Sequence, residues 1–159
     1  MVYHERSPVP VSNSSNPPAT PRPAVVLVED DADTREMYVS WLKHVGFTVF
    51  DAADADSGFV HALERQPRVV VTDYLLRSGA TGAELCRRLK DDPRTAHIPT
   101  LLMTGLAERR TAERAIDLGC AIVRLKPYLP DAMIGDIEAI VRGDVLHQIP
   151  GEHTSSPAD

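Results

Sequence analysis

Residues 69–76 read VVVTDYLL, in which three valines and a threonine run without a break into an aspartate. A run this short, β-branched throughout and lacking polar alternation, fits a strand buried on both faces. Asp73 then places a charge where the chain leaves a two-sided core, an expensive position unless it is used. Similar runs lie on either side: VVLV at 25–28, TLLM at 100–103, AIVRL at 121–125, and a weaker TVFDA at 48–52 after Phe47. The segments between them carry helical spacing. Tyr38, Trp41, Leu42 and Val45 fall at i, i+3, i+4 and i+7, with Gly46 as the stop and Trp41 read as core. Phe59, Ala62 and Leu63 repeat the pattern, as do Leu85 and Leu89, then Ala112, Ala115 and Ile116, and finally Ile134, Ile137, Ile140 and Val141. Five strands alternating with five helices predict an α/β fold: a doubly wound, five-stranded parallel sheet, (βα)5, with helices on both faces.

Composition narrows the function classes. The chain has 159 residues, of which 43% are apolar, enough for one well-buried core. Its net charge of -6 argues against a binder of nucleic-acid backbone, so no direct nucleic-acid partner is expected. Cys86 and Cys120 have no CxxC or Cys/His ligand spacing, and the six histidines form no ligand pattern. No apolar run reaches the length of a membrane span, and residues at the start lack a secretory core, so no membrane partner and a cytoplasmic location are expected. Residues 1–23 hold Pro8, Pro10, Pro17, Pro18, Pro21 and Pro23 with a SNSSN stretch, and read as a disordered leader. Residues 144–159 read as a flexible tail. One domain is expected over 24–143.

In parallel sheets every strand-to-helix loop emerges at one edge, and ligands bind there, where the strand order reverses. The residues at those strand ends are Glu29, Asp30 and Asp31 after the first run, Asp73 after the third, Thr104 and Gly105 after the fourth, and Lys126 after the fifth. Clustered carboxylates repel unless a proton or a cation lies among them. An all-oxygen set with few carboxylates suits Mg2+, which keeps waters and takes a phosphoryl oxygen. A neighbouring hydroxyl and ammonium would serve the remaining phosphoryl oxygens, so the implied chemistry is phosphoryl transfer.

VVLVEDD, VVVTDYLL, LLMTG and RLKPY, taken in order, resemble the receiver domain of two-component response regulators, and the resemblance spans essentially all of 24–143. It implies a flavodoxin-like arrangement like that of a single-domain, CheY-like regulator. By position it implies Asp73 as phosphoacceptor and metal ligand, Glu29 and Asp30 as the acidic metal pair, and Leu75 as a ligand through its backbone carbonyl. Thr104 and Lys126 would bind the phosphoryl group, with Gly105 leaving access and Pro127 following a cis peptide. Asp31 is read as a helix cap. The resemblance further implies Mg2+ as cofactor, and as partners a sensor histidine kinase or phosphotransfer protein and a downstream protein target. The chemistry would be self-catalysed phosphotransfer with slow autodephosphorylation, not turnover of a substrate.

Three departures from the family pattern stand out. Arg77 occupies the place where the family commonly has proline. Gly82 follows Asp73 by nine residues where the family has eight, with Gly79 nearby, so the loop holds one extra residue. Val123 replaces the usual aromatic switch residue. Leu75 and Leu106, two positions beyond Asp73 and Thr104, are apolar and cannot position an attacking water, from which slow loss of phosphate is expected. Two alternatives compete: a receiver-like scaffold that takes no phosphate, and an aspartate-nucleophile phosphohydrolase, which would need a general acid where Leu75 stands. The basic residues Arg87, Arg88, Lys90, Arg109, Arg110 and Arg114 are read as solvated helix faces. The sixteen residues after Gly143 are too few for an output domain, so a single-domain regulator is expected.

Overall fold

Doubly apolar strands must be covered on both sides, and the chain does this by alternating strand and helix throughout. In the computed structural model, residues 22–77, 79–106 and 108–144 are described. The elements are β1 (Ala24–Val28), α1 (Ala32–His44), β2 (Thr48–Ala52), α2 (Ala55–Arg65), β3 (Val69–Asp73), α3 (Gly82–Asp91), β4 (Thr100–Thr104), α4 (Arg109–Asp117), β5 (Ile122–Leu125) and α5 (Pro130–Arg142). All strand pairs are parallel, and the order across the sheet is β2-β1-β3-β4-β5. The order reverses between β1 and β3, which places the switch point between the loops that carry Glu29–Asp31 and Asp73. Most of the leader and tail expected at 1–23 and 144–159 lies outside the described residues.

Side chains alternate across the sheet with period two, and the core divides accordingly. Val25, Leu27, Val69, Val71, Leu101, Met103 and Ile122 face Tyr38 and Leu42 of α1 and Met133, Ile137 and Ile140 of α5. On the other side Val26, Val28 and Val70 meet α2 and α3 through Ala55, Ala62, Leu85 and Leu89. Leu102 and Val123 meet α3 and α4 through Ala83, Cys86, Ala112 and Ala115, with Cys120 in the same cluster. Both cysteines are free and buried.

Local chemistry fixes the helix ends. Asp31 caps α1 by accepting the Thr34 N–H at 2.8 Å, as expected, and Asp54 caps α2 through Ser57 at the same distance. Thr81 and Glu84 form a reciprocal capping box at the start of α3.

Two expectations fail here. Trp41 is not core: it is 43% exposed and stacks loosely with His44, while Tyr38, one turn earlier, and Leu42 are buried. A single helix against a sheet buries a narrow arc; Trp41 lies on its shoulder, and Val45 is already the C-cap, where the chain turns away. Arg88 is not merely a solvated charge either. It bridges from α3 to α2, pairing with Asp56 at 2.6 Å and lying 4.7 Å over the Phe59 ring. No helix among the described residues is long and apolar enough to cross a membrane.

Candidate functional site

The register of the three central strands assembles the site. Val28 of β1 pairs with Thr72 of β3, so the residues that follow, Glu29 and Asp73, emerge side by side. Ligand oxygens of Glu29, Asp30 and Asp73 all lie within 4.8 Å of one another, the one such acidic group among the described residues. From the other side of β3, Lys126 reaches in from the end of β5 and places its Nζ 2.9 Å from Asp73 Oδ2 and 3.6 Å from Glu29 Oε2. The Lys126–Pro127 peptide is cis. Four of the residues expected in the site therefore meet.

The remaining two are placed beside them. Thr104 ends β4, one residue beyond Met103, the register partner of Asp73. Its buried hydroxyl accepts the Leu106 N–H at 3.0 Å, and its carbonyl accepts the Lys126 N–H at 2.8 Å, which ties the β4 and β5 ends together. The structure thus brings Thr104 to the site's edge without a hydrogen bond to the carboxylates. Leu75 lies in the loop after Asp73 and is 61% exposed. The carbonyls on either side of it, Tyr74 and Leu76, accept the N–H groups of Gly82 and Gly79; among the described residues Leu75's own accepts no backbone N–H.

Electrostatics follow from burial and proximity. Burial pushes the Glu29 carboxyl above its ordinary value, against the Asp31 N–H that it accepts and with Asp73 adding to the rise. Its Oε2 is buried and has no hydrogen-bond partner. Burial pulls the Lys126 ammonium down, but the hydrogen bond to Asp73 and the charges of Asp73 and Glu29 outweigh it, and the group titrates above its ordinary range. Three carboxylates against two cations, Lys126 and the exposed Arg77, leave the cluster net negative, and the buried Glu29 Oε2 has an ion-pair neighbour at 3.6 Å but no hydrogen bond. That donor set fits a hydrated divalent cation with hard oxygen ligands, as Mg2+ requires.

Several contacts have no signal in the spacing of residues. Arg35, one turn into α1, donates from Nη1 to the Glu29 carbonyl at 2.8 Å and from Nε to Asp51 at 3.1 Å, holding the acidic turn against β2. Gly82 is needed for close approach: a Cβ there would stand 2.0 Å from the Asp73 carbonyl oxygen. Gly82 thus seats the start of α3 against the end of β3, and Gly79, at φ +94°, turns the loop between them. Arg77, noted in the sequence only for the proline it replaces, donates its backbone N–H to Asp30 Oδ2 at 2.9 Å and places Nε 3.3 Å from the same oxygen. Val123 is fully buried and clusters with Ala112 and Ala115 of α4.

Comparison with known proteins agrees with this geometry. The response regulator receiver domain matches residues 25–138. The phosphate regulon transcriptional regulatory protein PhoB of Escherichia coli is 30% identical over 118 residues, covering 74% of this chain and 51% of the relative. A two-component response regulator of the LuxR family from Aurantimonas sp. SI85-9A1 is 27% identical with a TM-score of 0.70, over 77% of this chain and 86% of that one. The chemotaxis response regulator CheY4 of Vibrio cholerae shares the fold at a TM-score of 0.69 and 20% identity, over 75% of this chain and 98% of that one. The chain spans about half the length of the curated relatives it matches. With a match running from the first strand into the last helix, this protein belongs to the receiver-domain family of two-component response regulators, whose members are phosphoacceptors in signalling.

Proposed function

We infer that the unit spanning residues 24–143 accepts a phosphoryl group on Asp73 and signals by phosphorylation-dependent binding of another protein. The observation that carries this reading is the 2.9 Å contact of Lys126 with Asp73 inside a cluster of three carboxylates. In the transfer, a carboxylate oxygen of Asp73 forms a bond to phosphorus while the bond from phosphorus to the donor breaks on the opposite side. The donor, a phosphohistidine of a kinase or phosphotransfer protein or a small acyl phosphate, leaves with the electron pair. Lys126 is already held charged beside Asp73 and would pair with the incoming phosphoryl oxygens, with the Thr104 hydroxyl, whose proton the bond from Leu106 leaves free, donating to a second. Glu29, Asp30, Asp73 and the Leu75 carbonyl would hold Mg2+, Asp30 directly and Glu29 through water. Bound there, the ion neutralises charge as it develops on the phosphoryl oxygens.

The product places close to two further negative charges at the ends of β3, β4 and β5. Thr104, Leu106 and Lys126 are linked through backbone and side-chain hydrogen bonds, so a shift of Thr104 toward phosphate moves the loop that leads into α4. With Val123 buried, this output does not depend on an aromatic ring moving in or out. The phosphohydrolase alternative finds no support, because the position two residues beyond Asp73 is an exposed leucine that offers no proton.

The test is incubation with Mg2+ and acetyl phosphate, and separately with a phosphorylated histidine kinase, followed by intact-mass measurement of the wild type and Asp73→Asn. A persistent added phosphoryl group in the wild type alone is expected. No adduct from either donor points to the scaffold alternative, and continuous release of free phosphate to the hydrolase.

A further inference from the structure

The acidic site is met by two side-chain cations, one on each side. Lys126 serves Asp73 and Glu29 from the β5 side. Arg77 serves the opposite rim: its Nε lies 3.3 Å from Asp30 Oδ2 and its Nη2 3.8 Å from Asp31 Oδ2. The two carboxylates differ in solvent access. The Asp30 side chain is 13% exposed and that of Asp31 46%, while Arg77 itself is 78% exposed. A guanidinium thus lies across the outer edge of the acidic group, tethered by its own backbone N–H to the oxygen it pairs with.

We propose that Arg77 is a tethered counter-cation that competes with the divalent metal for Asp30 and sets the metal affinity of this receiver. The proposal rests on the reading of Glu29, Asp30 and Asp73 as the metal site. Its physical basis is charge and lone pairs. Asp30 Oδ2 already accepts the Arg77 backbone N–H at 2.9 Å and has the Arg77 Nε 3.3 Å away as an ion pair, so an ion must share that oxygen, use the other one, or displace the side chain. A dication approaching the rim also meets the positive guanidinium, and the repulsion is only partly screened at such short range. The Arg77 side chain is 78% exposed, so moving it aside gives up little packing. The tether keeps its effective concentration high after displacement, since the backbone bond from Arg77 to Asp30 does not involve the side chain.

Other charged groups near the rim do not duplicate this role. Arg35 is committed to the Glu29 carbonyl and Asp51, on the β2 side. Lys126 approaches from the β5 side and faces Asp73 and Glu29. Substitution of Arg77 therefore removes the charge pairing with Asp30 while leaving the backbone hydrogen bond that shapes the loop.

The experiment is a Mg2+ titration of the full chain, followed by amide NMR shifts, for wild type, Arg77→Gln and Arg77→Lys. Arg77→Gln should bind Mg2+ roughly three- to tenfold more tightly, the range set by one exposed charge acting on a dication. Arg77→Lys, which keeps the charge, should stay within about twofold of wild type, and added NaCl should shrink the gap between Gln and wild type. If wild type binds Mg2+ and Arg77→Gln binds equally or more weakly, the proposal is overturned while the metal site stands. If none of the three responds to Mg2+, the metal site and the proposal fall together. The amide spectrum reports folding in the same samples, and Arg77→Lys supplies a second variant should the Gln form unfold: a Lys form that binds several-fold more tightly than wild type would contradict a role based on charge.

Discussion

Leu75 and Leu106, two residues beyond Asp73 and Thr104, are 61% and 39% exposed and carry no polar atom on their side chains. Neither can orient an attacking water. Leu75→Asn should therefore speed loss of the phosphoryl group by about one order of magnitude, below the roughly 10²–10⁴-fold of a positioned general base because an amide orients the water without taking its proton. The check is the decay of the phosphorylated mass after donor removal, and an unchanged decay would show that water reaches the phosphorus by another route. At this scale the sequence was informative wherever chemistry follows from residue type at a strand end. Glu29, Asp30, Asp73 and Lys126 could be named because each follows a recognisable run. Arg77 and Arg35 could not be placed, because their contacts depend on how loops and helices fold back over the site, which residue type does not encode.

Each loop end is held by an adjacent helix start, so element-level changes reach the site. Gly82 begins α3 directly against the end of β3. Gly82→Ala would drive a methyl into the Asp73 carbonyl and also into Leu102, costing about 1–3 kcal/mol as overpacking does. Denaturant unfolding measures the loss, and slower phosphorylation should accompany it because the backbone of Asp73 must shift. At α2, Asp54→Ala should cost about 1 kcal/mol through loss of the cap on Ser57. The Ser57 N–H holds the Asp54 carboxyl below its ordinary 3.8. The cap's contribution is therefore complete above that ordinary value and fades as pH falls through the lowered one, so wild type and Asp54→Ala should converge in stability only in strong acid. A pH series of thermal melts checks this; convergence near neutral pH would contradict it. The elements themselves were legible because strands buried on both faces must be apolar throughout. Trp41 was not, since an i+3 position reads as core or shoulder depending on how far the helix is rolled against the sheet. On the buried side Tyr38 donates its hydroxyl to the Tyr128 carbonyl at 2.6 Å, a contact that helix periodicity does not show.

For the molecule as a whole, the sheet order β2-β1-β3-β4-β5 turns separate sequence runs into one pocket. Alternation of strands and helices gives the parallel layers, but the order follows from which strands pair, and only the family resemblance pointed to it in advance. An ion held by Asp30 and Asp73 directly and by Glu29 through water would have no equivalent site in the unfolded chain, so the proposed metal binding links to folding. Mg2+ at about 100 times its Kd should stabilise the protein by about 2.7 kcal/mol, with the effect reversed by chelator and absent in Asp30→Asn. Thermal melts with and without Mg2+ measure it, and an equal response in Asp30→Asn would place the ion elsewhere. The central claim, that Asp73 is the group that takes the phosphoryl, is tested most directly by trapping the acyl phosphate. After phosphorylation, reduction with borohydride and peptide mapping should find the modified residue at Asp73 alone. Modification at Glu29, Asp30 or a histidine, with Asp73 untouched, would contradict the account.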